Sequence, residues 1–240
     1  LGAGGMGEVY RSRDGRLKVF VERKEHKFGP IAIGETTDDT QLKLAIARSI
    51  ARMRGIDLGD IAKEHVAEMQ KMTRGWGGST RDAVKRLSEG VHWGASGSTP
   101  EKAMGKRGKG NGVAMKIDPV GAYFALRGID QLPSGEMRNA VRDLSLMTHA
   151  SAMGVASGLA QVAAIRHLLS AKAVFAEGFA TEVTYAAWIG ERVFPRGRDE
   201  DVLSERFRAL RDVTRDTSDE MIRSTFGSGA CYVYESLPLA

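Results

Sequence analysis

Thr37, Asp38, Asp39 and Thr40 stand at the mouth of an apolar-periodic run, in the stretch "GETTDDTQLKLAIARSI" at residues 34–50. Aspartates at a helix start satisfy orphan amides and oppose the helix dipole, a contribution of about 1 kcal/mol for a cap. One carboxylate would suffice for that. Two adjacent carboxylates repel unless a cation lies against them, and an Asp-Asp pair flanked by hydroxyls offers the hard oxygen ligands that magnesium prefers. On these residues alone, helix cap and metal site stand level.

Other residues of chemical interest lie further on. "GKGNGVAMK" contains Gly110, Asn111 and Gly112, and glycines let backbone amides approach an anion without side-chain obstruction; G-N-G is equally a common tight turn. His149, in "MTHASAMG", opens an apolar run, where a histidine is ordinarily a surface or capping residue. Gly77 and Gly78 follow Trp76, an aromatic that reads as a packing residue. The opening "LGAGGMGEVYRSRD" carries Gly2, Gly4 and Gly7 in G-x-G-x-x-G spacing and looks like the phosphate-covering loop of a protein kinase. No strand lysine, H-R-D loop with its asparagine, or D-F-G follows it, so a kinase-related nucleotide binder is the weakest reading. A dinucleotide-binding turn would need a helix directly after the glycines, and "EVYRSRDGRLKVFV" has no helical period. What remains is a tight glycine turn.

The elements that must position these residues are helical. Residues 1–30, rich in glycine and charge, read as loops and short strands. From Thr40, Leu42, Leu44, Ala45, Ile50 and Ala51 recur at roughly helical spacing. Further helices are predicted over "DIAKEHVAEMQKM" and over "STRDAVKRLSEG", with Ser79 as cap and Gly90 as stop. "VHWGASGSTPEKAMGKRGKGNGVAMKID" reads as one long functional loop outside the core. "SGEMRNAVRDLSLMT", "ASAMGVASGLAQVAAIRHLLSA" and "ATEVTYAAWIGERVF" are helical, the alanine- and glycine-rich middle one forming the buried centre. "LSERFRALRDVTRDTSDEMIRS" adds one or two more. No strand–helix alternation and no repeat occur, which gives an all-α class in a single domain over residues 1–240.

The chain has 240 residues, 42% hydrophobic and 27% charged, a balance that supports a globular core. A formal charge of +5 suits a phosphate-bearing partner without requiring nucleic acid. Its densest basic cluster, Lys102, Lys106, Arg107 and Lys109, reads as a solvated loop. Cys231 is the only cysteine, so there is no internal disulfide framework or cysteine-rich metal site. No apolar stretch of about eighteen residues and no leader are seen in the sequence, and the expectation is a cytoplasmic protein without a membrane partner.

In combination these stretches resemble the ADP-ribosylglycohydrolase family, of the dinitrogenase-reductase-activating-glycohydrolase type. "TTDDTQLKLAIARSI" is similar to its T-D-D-T-Q motif, "RGWGGSTRDAVKRLSEG" to its glycine–aromatic–glycine segment, and "GKGNGVAMKIDPVG" to its G-N-G-x-x-M-R-x-x-P loop. "MTHASAMGVASGLAQVAAI" resembles the threonine–histidine start of its central helix, and "FGSGACYVYESLPLA" a segment near its end. The resemblance covers the chain from about Asp14 onward. Lys116 stands where the family usually has arginine.

The resemblance implies an all-helical bundle with orthogonal packing, holding two magnesium ions beside ADP-ribose. Thr37, Asp38 and Asp39 match its first metal ligands, and Asp38 or Asp39 would orient the attacking water. Gly110, Asn111, Gly112 and Met115 match its pyrophosphate loop, His149 matches an ADP-ribose contact, and Gly77 and Gly78 would line the same site. The implied reaction is hydrolysis of the glycosidic bond joining ADP-ribose to a modified protein side chain or related acceptor. The family also carries a late G-G-D-[TS]-D-[TS] motif that does not occur here, and the expectation is that it lies beyond Ala240. A non-catalytic ADP-ribose-binding or structural relative is the alternative.

Overall fold

The computed structural model of the chain describes residues 3–4, 7–11, 17–20, 36–71, 73, 75–98, 109–129, 133–170, 178–194, 201–214, 216–227 and 232–239. Three short strands come first: β1 (Ala3–Gly4), β2 (Gly7–Arg11) and β3 (Leu17–Phe20), an antiparallel sheet in that order. Gly4 pairs with Gly7, so the spaced glycines close a hairpin. From residue 36 on, the regular elements are helices, and the body of the protein is all-α.

The helix α1 (Asp38–Met53) starts at the aspartate pair and ends at Arg54, whose φ of 53° turns the chain in the left-handed region. Leu42 and Ala45 of the predicted stripe are buried, Ile50 packs part-buried on the core, and Ile46 and Ser49 complete the seam, whereas Leu44 is half exposed and Ala51 exposed. Against it lies α2 (Leu58–Lys71), and ion pairs from Arg48 to Glu64 (3.0 Å) and Arg52 to Asp60 (2.6 Å) tie the two outer faces. Next comes α3 (Gly78–Ser88). Its N-cap is Gly77, and Ser79 lies inside the first turn rather than capping it, because the extended glycine already supplies the turn into the helix. Gly90, at φ 88°, does end this segment.

The stretch 91–118 departs from the single exposed loop expected of it. It holds the short helix α4 (Trp93–Ser96), whose last hydroxyl donates to Met147 O at 2.7 Å, and a 3-10 turn over Ala114–Lys116. Val113, Ala114, Lys116 and Ile117 are buried. Residues 99–108 of that stretch, with Lys102, Lys106 and Arg107, lie outside the described residues. The turn leads directly into α5 (Asp118–Leu126), started by a proline in its first turn.

Next come α6 (Gly135–Thr148), capped by Ser134, whose hydroxyl accepts from Met137 N, and α7 (Ala152–Ser170). The latter is long and apolar enough to cross a membrane by composition, yet most of it is covered by other helices. It is the predicted buried centre: α5, α6 and α8 (Phe179–Gly190) all pack on it. Small residues let the backbones meet. A Cβ at Gly190 of α8 would lie 2.5 Å from Ala156 Cα, and one at Gly121 of α5 would lie 2.8 Å from Ile165 Cβ. The main core gathers Ile46, Ile61, Ile117, Phe124, Leu144 and Leu159 from five helices and the turn before α5. The remaining helices are α9 (Leu203–Ala209), α10 (Asp219–Phe226) and α11 (Val233–Leu239). Leu203, Phe207 and Val233 join Met153, Ala156 and Ala114 in a second cluster.

Candidate functional site

Thr37 precedes α1 in extended conformation, and its side chain does not cap the helix. Its Oγ1 donates instead to Asp39 Oδ2 at 3.0 Å. Asp38 is buried, 6% exposed, while Asp39 is half-buried. The Asp38 carboxylate accepts a hydrogen bond from Gly77 N at 3.3 Å, which brings the glycine–aromatic–glycine segment onto the aspartate pair. Burial, and then repulsion from Asp39, push the Asp38 carboxyl up from 3.8 to about 6, against the pull of the amides of Gly77, Asp38 and Asp39. The first-turn amides do face the carboxylate, but they do not offset its burial beside a second one.

The segment after α2 is shaped around this pair. Gly75 has a φ of 81°, and a Cβ there would lie 3.2 Å from Thr37 Cγ2, so both conformation and space require glycine. Trp76 is buried and donates from Nε1 to Gln41 Oε1 at 2.7 Å. Its ring packs with Leu42, Val84 and Met115, as its reading as a packing residue predicts. Gly77 and Gly78 differ from Gly75: a Cβ on either would meet nothing within 4 Å.

The G-N-G turn is held from both sides. Gly110 forms an isolated antiparallel bridge with Tyr232, and Met115 N donates to Asn111 O at 2.9 Å. A Cβ on Gly112 would stand 2.2 Å from His149 Cε1 and 2.6 Å from its Nε2, so the imidazole lies directly on this glycine. Met115 joins the Trp76 cluster, and α1 packs on the Ala114–Lys116 turn.

His149 is the C-cap of α6, in the corner before α7. It is a buried residue, not a surface one, and its Nδ1 has no hydrogen-bond partner among the described residues. Burial first, and the Lys116 amine second, push the imidazole down to about 3, so the ring is neutral.

A group not foreseen from sequence lies beneath. Lys116 is fully buried, and its Nζ donates to Thr148 Oγ1 at 2.7 Å and approaches His65 Nε2 at 3.5 Å. His65 Nδ1 lies 2.9 Å from Ile61 O; a carbonyl only accepts, so that nitrogen carries the proton and Nε2 faces the amine as an acceptor. Burial, and then Lys116, hold His65 well below its ordinary range. Burial likewise lowers the amine to about 7, with Asp38 drawing it back toward its charged form. The available signal was the position of His65, four residues after Ile61 on the buried face of α2.

The predicted residues thus form two contacting sets. Thr37 bonds Asp39, and Asp38 meets Gly77, with Gly78 beginning α3 beside it; in the G-N-G turn, Gly112 meets His149. Met115 and Lys116 connect them, one by packing and one by charge. As a cation site, Thr37, Asp38 and Asp39 offer only hard oxygens, and a buried carboxyl beside a second one is what a divalent ion would relieve. Among the described residues no group of three or more His, Cys, Asp or Glu side chains converges. The donor set fits a hard cation and does not enclose one.

A sequence model described as ADP-ribosylglycohydrolase matches residues 6–240. ADP-ribosylhydrolase ARH3 of Xenopus tropicalis is similar at 26% identity over 134 residues, which is 55% of this chain and 36% of the relative. The match therefore spans little more than a third of that relative's length. The family match runs through every residue just placed around the aspartate pair and the G-N-G turn, and on that extent the chain belongs to the ADP-ribosylglycohydrolase family.

Proposed function

We propose that the protein hydrolyses the glycosidic bond between ADP-ribose and an acceptor group, releasing ADP-ribose, in a site built on Asp38 and Asp39 and dependent on magnesium. The observation that carries this is the aspartate pair, with Asp38 buried and repelled by half-buried Asp39, at the start of a helix that packs on the Ala114–Lys116 turn directly after the G-N-G residues. Thr37, Asp38 and Asp39 would hold the cation, which when bound would withdraw charge from the ribose hydroxyls.

The chain's own groups supply the rest. Glycosidic cleavage passes through a cationic, oxocarbenium-like transition state, which a nearby carboxylate stabilises. One carboxylate of the pair also orients the attacking water; substituting each by asparagine separates the two roles. The backbone amides of the Gly110–Asn111–Gly112 turn would face the pyrophosphate, on the side of the turn that His149 does not cover. His149 presents a neutral ring with a free Nδ1 for hydrogen bonding to the ligand. The open space beside Gly77 and Gly78 leaves that flank of the aspartates accessible to substrate. The acceptor is an ADP-ribosylated protein side chain or a related ADP-ribosyl compound.

The test is release of ADP-ribose from serine- and arginine-modified peptides with magnesium present, alongside melting with magnesium and with ADP-ribose. A ligand that binds only the folded state raises the melting temperature. Release that disappears on chelation, together with a magnesium-dependent melting shift, is the result expected. Stabilisation by ADP-ribose with no release from any substrate would instead identify a non-catalytic ADP-ribose-binding protein.

A further inference from the structure

The Gly110–Asn111–Gly112 turn has little to hold its own shape, because two of its three residues are glycines. Its C-terminal side is fixed by the burial of Val113 and Ala114 and by the bond from Met115 N to Asn111 O. The N-terminal side depends on residues far away in sequence. Gly110 bridges Tyr232, and Val233 N donates to Lys109 O at 3.0 Å. The Tyr232 hydroxyl donates to Asp201 Oδ2, and Lys109 Nζ lies 3.8 Å from the same oxygen. One carboxylate thus meets the side chains on both sides of the backbone bridge.

This cluster is itself anchored. Asp201 lies two residues before α9, whose Leu203 and Phe207 share a buried cluster with Val233 of α11 and with Ala114 of the 3-10 turn. Arg206 of α9 lies over the Tyr234 ring at 4.2 Å, and that ring stacks on Tyr232. Burial, and then Asp201, hold the Tyr232 phenol above its ordinary range, so it remains an O–H donor.

From this geometry we infer that Tyr232 and Asp201 are positioning residues, which act through Lys109 and the Gly110 bridge to hold the glycine turn in the shape that receives the diphosphate of ADP-ribose. The inference rests on the proposed function for the identity of the ligand. Neither side chain belongs to the aspartate pair or to the His149 contact. Their removal should therefore weaken ligand binding while leaving the affinity of the aspartates for a divalent ion intact.

The experiment uses the full chain and the variants Tyr232→Phe, Asp201→Asn and Asp201→Glu. ADP-ribose affinity is measured by calorimetry, manganese affinity by titration, and amide exchange over residues 109–116 by mass spectrometry. Losing one such hydrogen bond should weaken ADP-ribose binding by about 3- to 10-fold, speed exchange in the turn, and leave manganese affinity unchanged. The double variant Tyr232→Phe/Asp201→Asn should lose less than the sum of the two singles, because both substitutions act on the same contact. Asp201→Glu should recover part of the affinity. A lower melting temperature with unchanged ADP-ribose affinity and unchanged exchange in the turn would show a merely structural contact and overturn the inference. If the unsubstituted chain itself bound no ADP-ribose, the proposed function would fall first and this role with it.

Discussion

Replacing Gly112 by alanine tests the contact between the glycine turn and His149. The added methyl would sit 2.2 Å from His149 Cε1, 2.6 Å from Nε2 and 3.1 Å from Nδ1. Relief needs a displacement of more than an ångström, and the ring is poorly placed to give it. His149 is buried, its amide donates to Ser145 O at 2.7 Å, and its carbonyl accepts from Ser151 N at 2.8 Å. Gly112 is not among the positive-φ glycines, so alanine meets no backbone strain there. It gains about 0.4–1 kcal/mol by restricting the unfolded chain. Overpacking in a filled site costs about 1–3 kcal/mol. The net loss is about 1–2 kcal/mol, a fall in melting temperature of about 3–6 °C for a chain of this size. An ångström of misplacement at a reacting centre lowers the rate by about a hundredfold. The matched control is Gly78→Ala, whose methyl meets nothing within 4 Å and should leave melting unchanged or slightly raised. Scanning calorimetry and ADP-ribose release provide the readings. A decisive arm is Gly112→Ala combined with His149→Ala: if the ring is the obstruction, the double variant loses less than the sum of the singles. Equal stability and equal activity of Gly112→Ala and Gly78→Ala would refute the packing of His149 on the turn.

The ionisable groups give predictions of opposite sign. Asp38 has its pKa raised from 3.8 to about 6, so its contribution to stability is fully present below the lower value and is lost as pH rises through the upper one. Without metal, Asp38→Asn should therefore be more stable than the parent above that window, by about 1–3 kcal/mol, converge with it in acid, and release no ADP-ribose; denaturant titrations across pH read this. For Lys116 the shift is from 10.5 down to about 7, so the parent gains stability as pH rises between those values. Lys116→Met should lose that slope, checked by urea midpoints at neutral and alkaline pH. Gly190→Ala drives a methyl to 2.5 Å from Ala156 Cα and 2.7 Å from its N, backbone atoms that cannot swing aside. It should cost about 2–3 kcal/mol, read as a lower melting temperature without a change in ADP-ribose affinity per folded molecule.

How far these features were legible depended on whether their signal was local. Helix α1 announced itself through the Thr-Asp-Asp-Thr start and an apolar period uninterrupted by proline. Of its apolar residues, Leu42 and Ala45 are buried as their period implies, but Leu44 is not, since Leu44 and Leu42 look alike in sequence while only Leu42 meets the Trp76 cluster. The central position of α7 was legible because alanine and glycine throughout leave no polar face to solvate. By contrast, α5 carries little sequence signal: it is short, has Pro119 in its first turn, and Val120, Gly121 and Phe124 give no clear alternation of polar and apolar faces. Glycine and charge dominate stretch 91–118 and make it read whole as a loop, which hides the buried Val113, Ala114 and Ile117. Motif residues of the site could be picked out in order along the chain. The amine–imidazole contact beneath them could not, because a lysine is almost never fully buried and Lys116 finds His65 across 51 residues of sequence.

The alanines and glycines where α7 meets α8 have no rotamers to freeze when the helices dock. Alanine and glycine lose no side-chain entropy on burial, so that seam closes at little entropic loss for its contact area. Warming, which weighs entropy ever more heavily, should consequently loosen the arginine- and glutamate-bearing helices α9 and α10 first, and the amides of α7 should be the last in the chain to exchange with solvent.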